Sequence, residues 1–315
     1  MKKIVLTLLF FTTVFAQTSA MQLFDESRQA LSNGNLELAG EKIRAAIDAD
    51  KGNDQLRKEF DRLNGLRNKA NNSNRAVQDG RFDDAIIGFK EVLDSIPKYI
   101  PALFGLAKAH EGKKDYTSAI TYYKQSLSLD SSHEDSKKSI QNIAKKLYNN
   151  ANKDYQNGDL ESAMSKYKQV LSINSRIYQA HHQLGVLYKK MGNITQAIQS
   201  YRSALNIKKT YDKGWYALGI AYKDNGDVEN AKKAFQETVR LNKKHYKAHK
   251  SLGEIFIDLE QYDNAVASLK AAIAIKSNYS AAYHALGITY GKEKLEDYNR
   301  SAEALEKAVE LSPRE

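Results

Sequence analysis

Residues 178–211 read YQAHHQLGVLYKKMGNITQAIQSYRSALNIKKTY, and residues 212–245 read DKGWYALGIAYKDNGDVENAKKAFQETVRLNKKH. Laid over one another, Leu184-Gly185 falls on Leu218-Gly219, Tyr188 on Tyr222, Gly192 on Gly226, Ala197 on Ala231 and Tyr201 on Phe235. The register continues through Leu252-Gly253, Phe256, Ala265 and Leu269, then Leu286-Gly287 and Tyr290. A 34-residue period held by several sets of residues means one structural unit copied along the chain. Within a copy, positions 4, 7, 8 and 11 share one face of a helix. Position 4 is large (His181, Trp215, His249, Tyr283). Positions 20, 24 and 27 share one face of a second helix. Gly192 and Gly226 fall between the two, where a tight turn needs a permissive backbone. Each unit is therefore predicted to be helix–turn–helix, and the fold all-α.

The residues Trp215, Leu218, Gly219, Tyr222, Ala231 and Phe235 resemble the tetratricopeptide repeat pattern W-x2-L-G-x2-Y, then A-x3-F. The closing proline of that pattern is present as Pro97 and Pro313 and absent from most copies. The resemblance implies a superhelical solenoid of about eight repeats. Upstream copies are weaker, marked by Leu147, Ala151, Gly158, Ala163 and Tyr167, by Leu103, Leu106, Ala119 and Tyr123, by Gly80, Ala85 and Phe89, and by Gly34, Ala39 and Ala46. The expected division is 20–53, 54–99, 100–133, 134–177, 178–211, 212–245, 246–279 and 280–315. Two of these copies are long. In 54–99 and 134–177 the surplus carries Leu56, Phe60, Leu63 and Ile140, Ile143, Leu147 at three-to-four spacing, which predicts first helices extended at their N-terminal ends.

Residues 1–20 read as a secretory leader. Lys2-Lys3 precedes an apolar run from Ile4 to Phe15, followed by small residues with a cut expected after Ala16 or Ala20. The run is too short to span a bilayer, which needs about 20 residues, and no later segment approaches that length. Export to a periplasm or the cell exterior is the expectation. The chain has no cysteine, so disulfides and cysteine-linked lipid are excluded and stability must come from repeat stacking.

The formal charge of +10 is unevenly distributed. From 17 to 133 the charges balance; from 134 to 250 there are 22 Lys/Arg against 10 Asp/Glu; from 251 to 315 there are 7 against 11. No acidic residue lies between Glu161 and Asp212. Lys189, Lys190, Lys208 and Lys209 fall in that gap and are expected to form a basic outer surface that attracts an acidic partner. The bland alternative is that these lysines complement helix C-termini.

No catalytic pattern emerges. Gly287, Gly291 and Lys292 lack phosphate-loop spacing, Lys137 stands where a zinc helix would need its second histidine, and there is no G-x-S-x-G elbow. No enzyme activity, cofactor or metal is expected. His245 and His249 are four apart, a spacing able to chelate a metal, but His249 and His181 take the position of Trp215 and are read as packing residues.

The family resemblance further implies a concave groove lined by positions 2, 5, 6, 9 and 12 of successive first helices. Here those include Lys145, Tyr148, Asn149, Asn152 and Tyr155; Gln179, His182 and Gln183; Lys213 and Tyr216; Lys247, Lys250 and Glu254. The set is polar, aromatic and cationic, suited to an extended peptide. Of the carboxylate clamp that some family members use, Asn152, Gln183 and Lys213 remain, whereas Tyr148 and Ala217 replace two cations, which argues against chaperone-type recognition. The expected function is an exported, non-enzymatic scaffold for protein–protein interaction with an acidic partner. The alternatives are an anionic envelope polymer or nucleic acid held by the basic central repeats, or an accessory role in an envelope enzyme or secretion machine. Export argues against nucleic acid as the everyday ligand.

Overall fold

The computed structural model describes residues 2–292 and 296–312, with side chains from residue 17 onward. Helices follow one another in chain order: α1 Lys2–Ser32, α2 Leu36–Ala49, α3 Asp54–Gln78, α4 Phe82–Ser95, α5 Ile100–Gly112, α6 Tyr116–Leu129, α7 Glu134–Gln156 and α8 Leu160–Ile173. They continue as α9 Tyr178–Lys190, α10 Ile194–Ile207, α11 Asp212–Asp224, α12 Val228–Leu241, α13 Tyr246–Asp258, α14 Tyr262–Ile275, α15 Ser280–Tyr290 and α16 Tyr298–Leu311. No strand occurs among the described residues. Sequential helices pack pairwise, so the architecture is an all-α repeat solenoid.

The repeat residues explain each pair. The second helix starts on a side-chain cap in most copies: Asp115 accepts the Ser118 N–H at 3.1 Å, Asp159 the Ser162 N–H at 3.0 Å and Asp227 the Asn230 N–H at 3.1 Å. Just before it the chain turns through the left-handed region, at φ +80° for Gly192 and +76° for Gly226. Lys114 and Glu260 hold the corresponding turns at φ 62° and 56°, so the turn is imposed by helix pairing where glycine is missing. Gly219 lets Phe235 lie directly on the first helix, and Gly185 does the same for Tyr201. Tyr123, Tyr167, Tyr201 and Phe235, all at position 24, are fully buried.

The helices form two compact units, Met1–Ile143 and Ala144–Glu315. The first has a core of Leu36, Ile43, Leu56, Phe89, Ile96 and Leu106. In the second, Tyr201, Leu205 and Leu218 pack between α10 and α11, Phe235, Leu252 and Ile255 between α12 and α13, and Leu269 and Leu286 between α14 and α15. Helices α3 and α7 have 25 and 23 residues, against 13 for α5, α9, α11 and α13.

The stretch expected to be a leader belongs to α1 and runs into the first repeat without a break. Its side chains up to residue 16 lie outside the described residues. Ala20 and Phe24 are buried in the first core. No described helix is long and apolar enough to cross a membrane.

Candidate functional site

The row expected to line a groove begins at position 5 of each first helix, and there the structure shows a packing lock. In the Ala144–Glu315 unit, Tyr148 meets Tyr167 with ring centroids 5.6 Å apart. His182 meets Tyr201 at 5.4 Å and Tyr211 at 5.2 Å. Tyr216 meets Phe235 at 5.8 Å and His245 at 4.6 Å. Each ring at position 5 touches the second helix of its own repeat, and two also touch the join to the next. Tyr148, His182 and Tyr216 are half-buried. Asn152 accepts a hydrogen bond from the Tyr167 hydroxyl, which takes up one of its groove-facing functions.

Position 4 has a separate task. The Trp215 indole N–H donates to the Lys209 carbonyl at 2.8 Å. Nε2 of His181 and His249 meets the Ser175 and Lys243 carbonyls at 2.9 and 3.1 Å. All three tie a first helix to the join that precedes it. His245 caps α13, its Nδ1 accepting the Ala248 N–H at 3.1 Å. His245 and His249 thus have separate backbone partners, and no group of three metal-ligating residues converges among the described residues.

The lysines divide into two classes. Lys189, expected on an exposed outer surface, is half-buried and pairs with Asp224 of the next first helix at 2.9 Å. Position 12 faces the neighbouring repeat, which is why this lysine finds an acid there. Lys208 is also engaged: its ammonium lies 4.7 Å from the Tyr178 ring centroid and donates to that hydroxyl at 3.1 Å. Lys190 lies 5.2 Å from the centroid of Tyr155. Only Lys209 of the expected basic surface makes no such side-chain contact among the described residues. Further on, Lys223 pairs with Glu254 at 2.9 Å and Lys250 pairs with the same carboxylate. Burial opposes the ionisation of Glu254, but the two lysines hold its carboxyl below the usual range.

The second class is Lys145, Lys213 and Lys247, all at position 2. They are exposed and form no ion pair among the described residues. Lys213 and Lys247 are second residues of α11 and α13. A cation there faces the positive end of the helix dipole, an arrangement that costs about 0.3–1 kcal/mol. Helix capping therefore cannot account for Lys213 and Lys247, and Lys145 lies in the interior of α7, away from either end. Asn149 and Gln179 are exposed beside this row and Gln183 is half-buried.

A polar reading of the sequence missed an apolar floor. A cleft in the last repeats is lined by Ile257, Ala285 and Ile288 together with Lys223, Lys250 and Glu254. Ile288 is 43 % exposed. Ile257 and Ile288 occupy positions 12 and 9 of their copies, so the register alone could have found them.

The fold and this row of first-helix side chains define a helical-repeat binding protein. Family models described as "Tetratricopeptide repeat" match residues 216–280 and, separately, 100–133 and 280–315, and one described as "TPR repeat" matches 187–226. The chain belongs to the tetratricopeptide repeat family. A curated relative, the photosystem I assembly protein Ycf3 of Prochlorococcus marinus (strain NATL1A), is 33% identical over 90 residues, which is 29% of this chain and 47% of the relative. The chain thus spans about half the length of the curated relatives it matches. Among solved structures, a MamA protein is 24% identical over 54% of this chain and 92% of its own, with a TM-score of 0.50. MamA from Desulfovibrio magneticus RS-1 is 18% identical over 54% and 95%, with a TM-score of 0.51. These structures are similar in fold.

Proposed function

We propose that this protein is a non-catalytic scaffold that binds another protein through the first-helix groove of residues 144–315, and that the bound segment is acidic. The observation that carries the reading is the row Lys145, Lys213 and Lys247, exposed and without an ion pair among the described residues; at Lys213 and Lys247 the helix dipole also disfavours a cation. Lys250 at position 5 and Lys189 and Lys223 at position 12 pair with Asp224 and Glu254, so within the groove row the lysines left without an ion pair among the described residues are those at position 2. Repeat membership and a relative named as an assembly protein support binding in preference to chemistry. Export is part of the proposal and rests on Lys2-Lys3 and the short apolar run that follows.

The deciding experiment is capture of partners from envelope extract with the parent chain and with Lys145, Lys213 and Lys247 all changed to Glu. A protein partner retained by the parent and lost by the variant supports the reading. Three exposed ion pairs at about 0.2–1 kcal/mol each predict an affinity loss on the order of tenfold. Equal retention by both sinks the acidic-segment reading. Retention of an anionic polymer or nucleic acid in place of protein favours the competing use of the basic repeats.

A further inference from the structure

Positions 3, 7 and 10 of a first helix form the face that receives the repeat before it. In α5 they are Ala102, Leu106 and Ala109, in α9 Ala180, Leu184 and Leu187, and in α13 Ala248, Leu252 and Ile255, all buried. Across each join stand positions 21, 25 and 28 of the preceding second helix. Leu205, at position 28, lies against Gly214 at position 3. Lys168 and Lys270, at position 25, reach the rings of Tyr188 and Tyr290 at position 11 of the next copy.

Three first helices leave the receiving face open. In α1 it is Gln22, Glu26 and Gln29, in α3 Asn68, Asn72 and Arg75, and in α7 Lys146, Asn150 and Lys153; all are polar and none is buried. The long helices explain the last two. The repeat before α3 packs on the N-terminal extension, where Leu56 and Leu63 enter the first core. The Ser126 hydroxyl of α6 likewise meets Ser136, in the extension of α7, at 2.6 Å.

The opposite face is open at α16, which no first helix follows among the described residues. Its positions 21, 25 and 28 are Ala302, Glu306 and Val309, all exposed, with Val309 at 64 %. At the internal joins the residues of position 28, Leu205, Val239 and Ile273, belong to the hydrophobic clusters. A solenoid ordinarily closes on a polar outer face. Here Val309 instead lines the apolar cleft of the last repeats with Ala308 and Ile288. Glu303 and Glu306 stand beside it, exposed and without an ion pair among the described residues, while Glu310 pairs with Lys307 at 2.6 Å.

We propose that α16 of one copy docks on the open face of α7 in a second copy, continuing the repeat stack from one molecule into the next. Charge selects the seat. The α1 face offers no cation, and its Glu26 is held by Lys42. The α3 face offers Arg75, with Asp79 four residues on. The α7 face offers Lys146 and Lys153, and the neighbouring Asp154 is held by Lys166. In the register of the internal joins Glu306 comes to Lys153, and Val309 comes to Lys146, whose methylenes cover it. The contact is heterologous: each copy carries one α16 end and one α7 seat, so copies add in a chain or close into a ring. Positions 3, 7 and 10 are distinct from the groove row, so the docking does not depend on the acidic-segment reading.

Sedimentation velocity over a concentration series tests this with two charge-reversed proteins. Lys146→Glu with Lys153→Glu makes the seat acidic like the end. Glu303→Lys with Glu306→Lys makes the end basic like the seat. The parent should associate as concentration rises, and less so as salt is raised. Each reversed protein alone should associate more weakly, by on the order of tenfold. An equimolar mixture of the two should regain association, because every acidic face then meets a basic one; a misfolded variant could not do this. Arg75→Glu, on the α3 face, should associate like the parent. A parent that stays monomeric at every concentration overturns the inference. So does parent-strength association of either reversed protein, or a mixture no stronger than its components. Loss of association in Arg75→Glu equal to that of the α7 reversal overturns the assignment of the seat to α7.

Discussion

Gly219 has room for a hydrogen atom and little else. A Cβ built there would sit 2.6 Å from Cε1 and 2.7 Å from Cδ1 of Phe235. Phe235 is fully buried and cannot swing away. Gly219→Leu should therefore lower stability by about 1–3 kcal/mol through overpacking, measured by urea denaturation. An unchanged midpoint would mean that the two helices do not meet at this residue. Trp215 provides a milder probe. Replacement by Phe keeps most of the ring but leaves the Lys209 carbonyl without its indole donor, and should cost on the order of 1 kcal/mol. The leucine-glycine ladder is visible in the letters. The ring nitrogen on a carbonyl six residues back is not, because it depends on how the join folds over the helix start.

At the scale of the helix, α13 begins on a histidine cap. His245 accepts the Ala248 N–H through Nδ1, which requires that nitrogen to be unprotonated, and its ring lies tilted against Tyr216. Burial, the largest cause, lowers its pKa; Asp212 opposes this, while Lys247 and His249 add to it. His182 is lowered further, to about 4. A histidine that is harder to protonate when folded stabilises the native state above its unfolded value near 6.5. That stabilisation is lost as pH falls through the folded value. The melting temperature should thus decline from about pH 6.5 toward pH 4. His245→Asn, which preserves a cap without this titration, should decline less. Identical pH profiles for parent and variant would remove His245 from this account. At the other end of the chain, α1 carries Ala20 in the first core. If the leader is cleaved, a cut after Ala16 keeps that contact and a cut after Ala20 removes it. Protein from its native host should therefore begin at Gln17, as read by N-terminal sequencing; an intact Met1 would refute export.

At the scale of the whole chain, charge is segregated by region, from balanced residues 17–133 to a strongly basic 134–250. Association with an acidic partner should slow steeply as salt is raised, because exposed charges are screened over about 8–10 Å at ordinary ionic strength. Stopped-flow association at increasing salt checks this, and a rate indifferent to salt would discard electrostatic steering. Within the basic region, the reversals should differ in effect. Lys213→Glu and Lys247→Glu should reduce the rate more than Lys189→Glu or Lys208→Glu, whose positive charges are held by Asp224 and Tyr178.

The repeat period, the all-helical fold and the register of the groove row follow from the sequence alone. A 34-residue recurrence of Leu-Gly, aromatic and alanine positions specifies which faces of neighbouring helices must meet. What each groove side chain still offers to a ligand was decided only in three dimensions. Lys189 and Lys213 are both lysines in an acid-free stretch or at its edge, yet one reaches a carboxylate on the next helix and the other reaches none. Likewise the rings of Tyr148, His182 and Tyr216 read as open ligand contacts until position 24 and the joins are folded against them. Partners 30 or more residues away, such as Asp224 for Lys189 and Tyr178 for Lys208, leave no trace in local spacing. The first exists because stacking brings one repeat onto the next, the second because helix pairing brings the end of one repeat back to its own start.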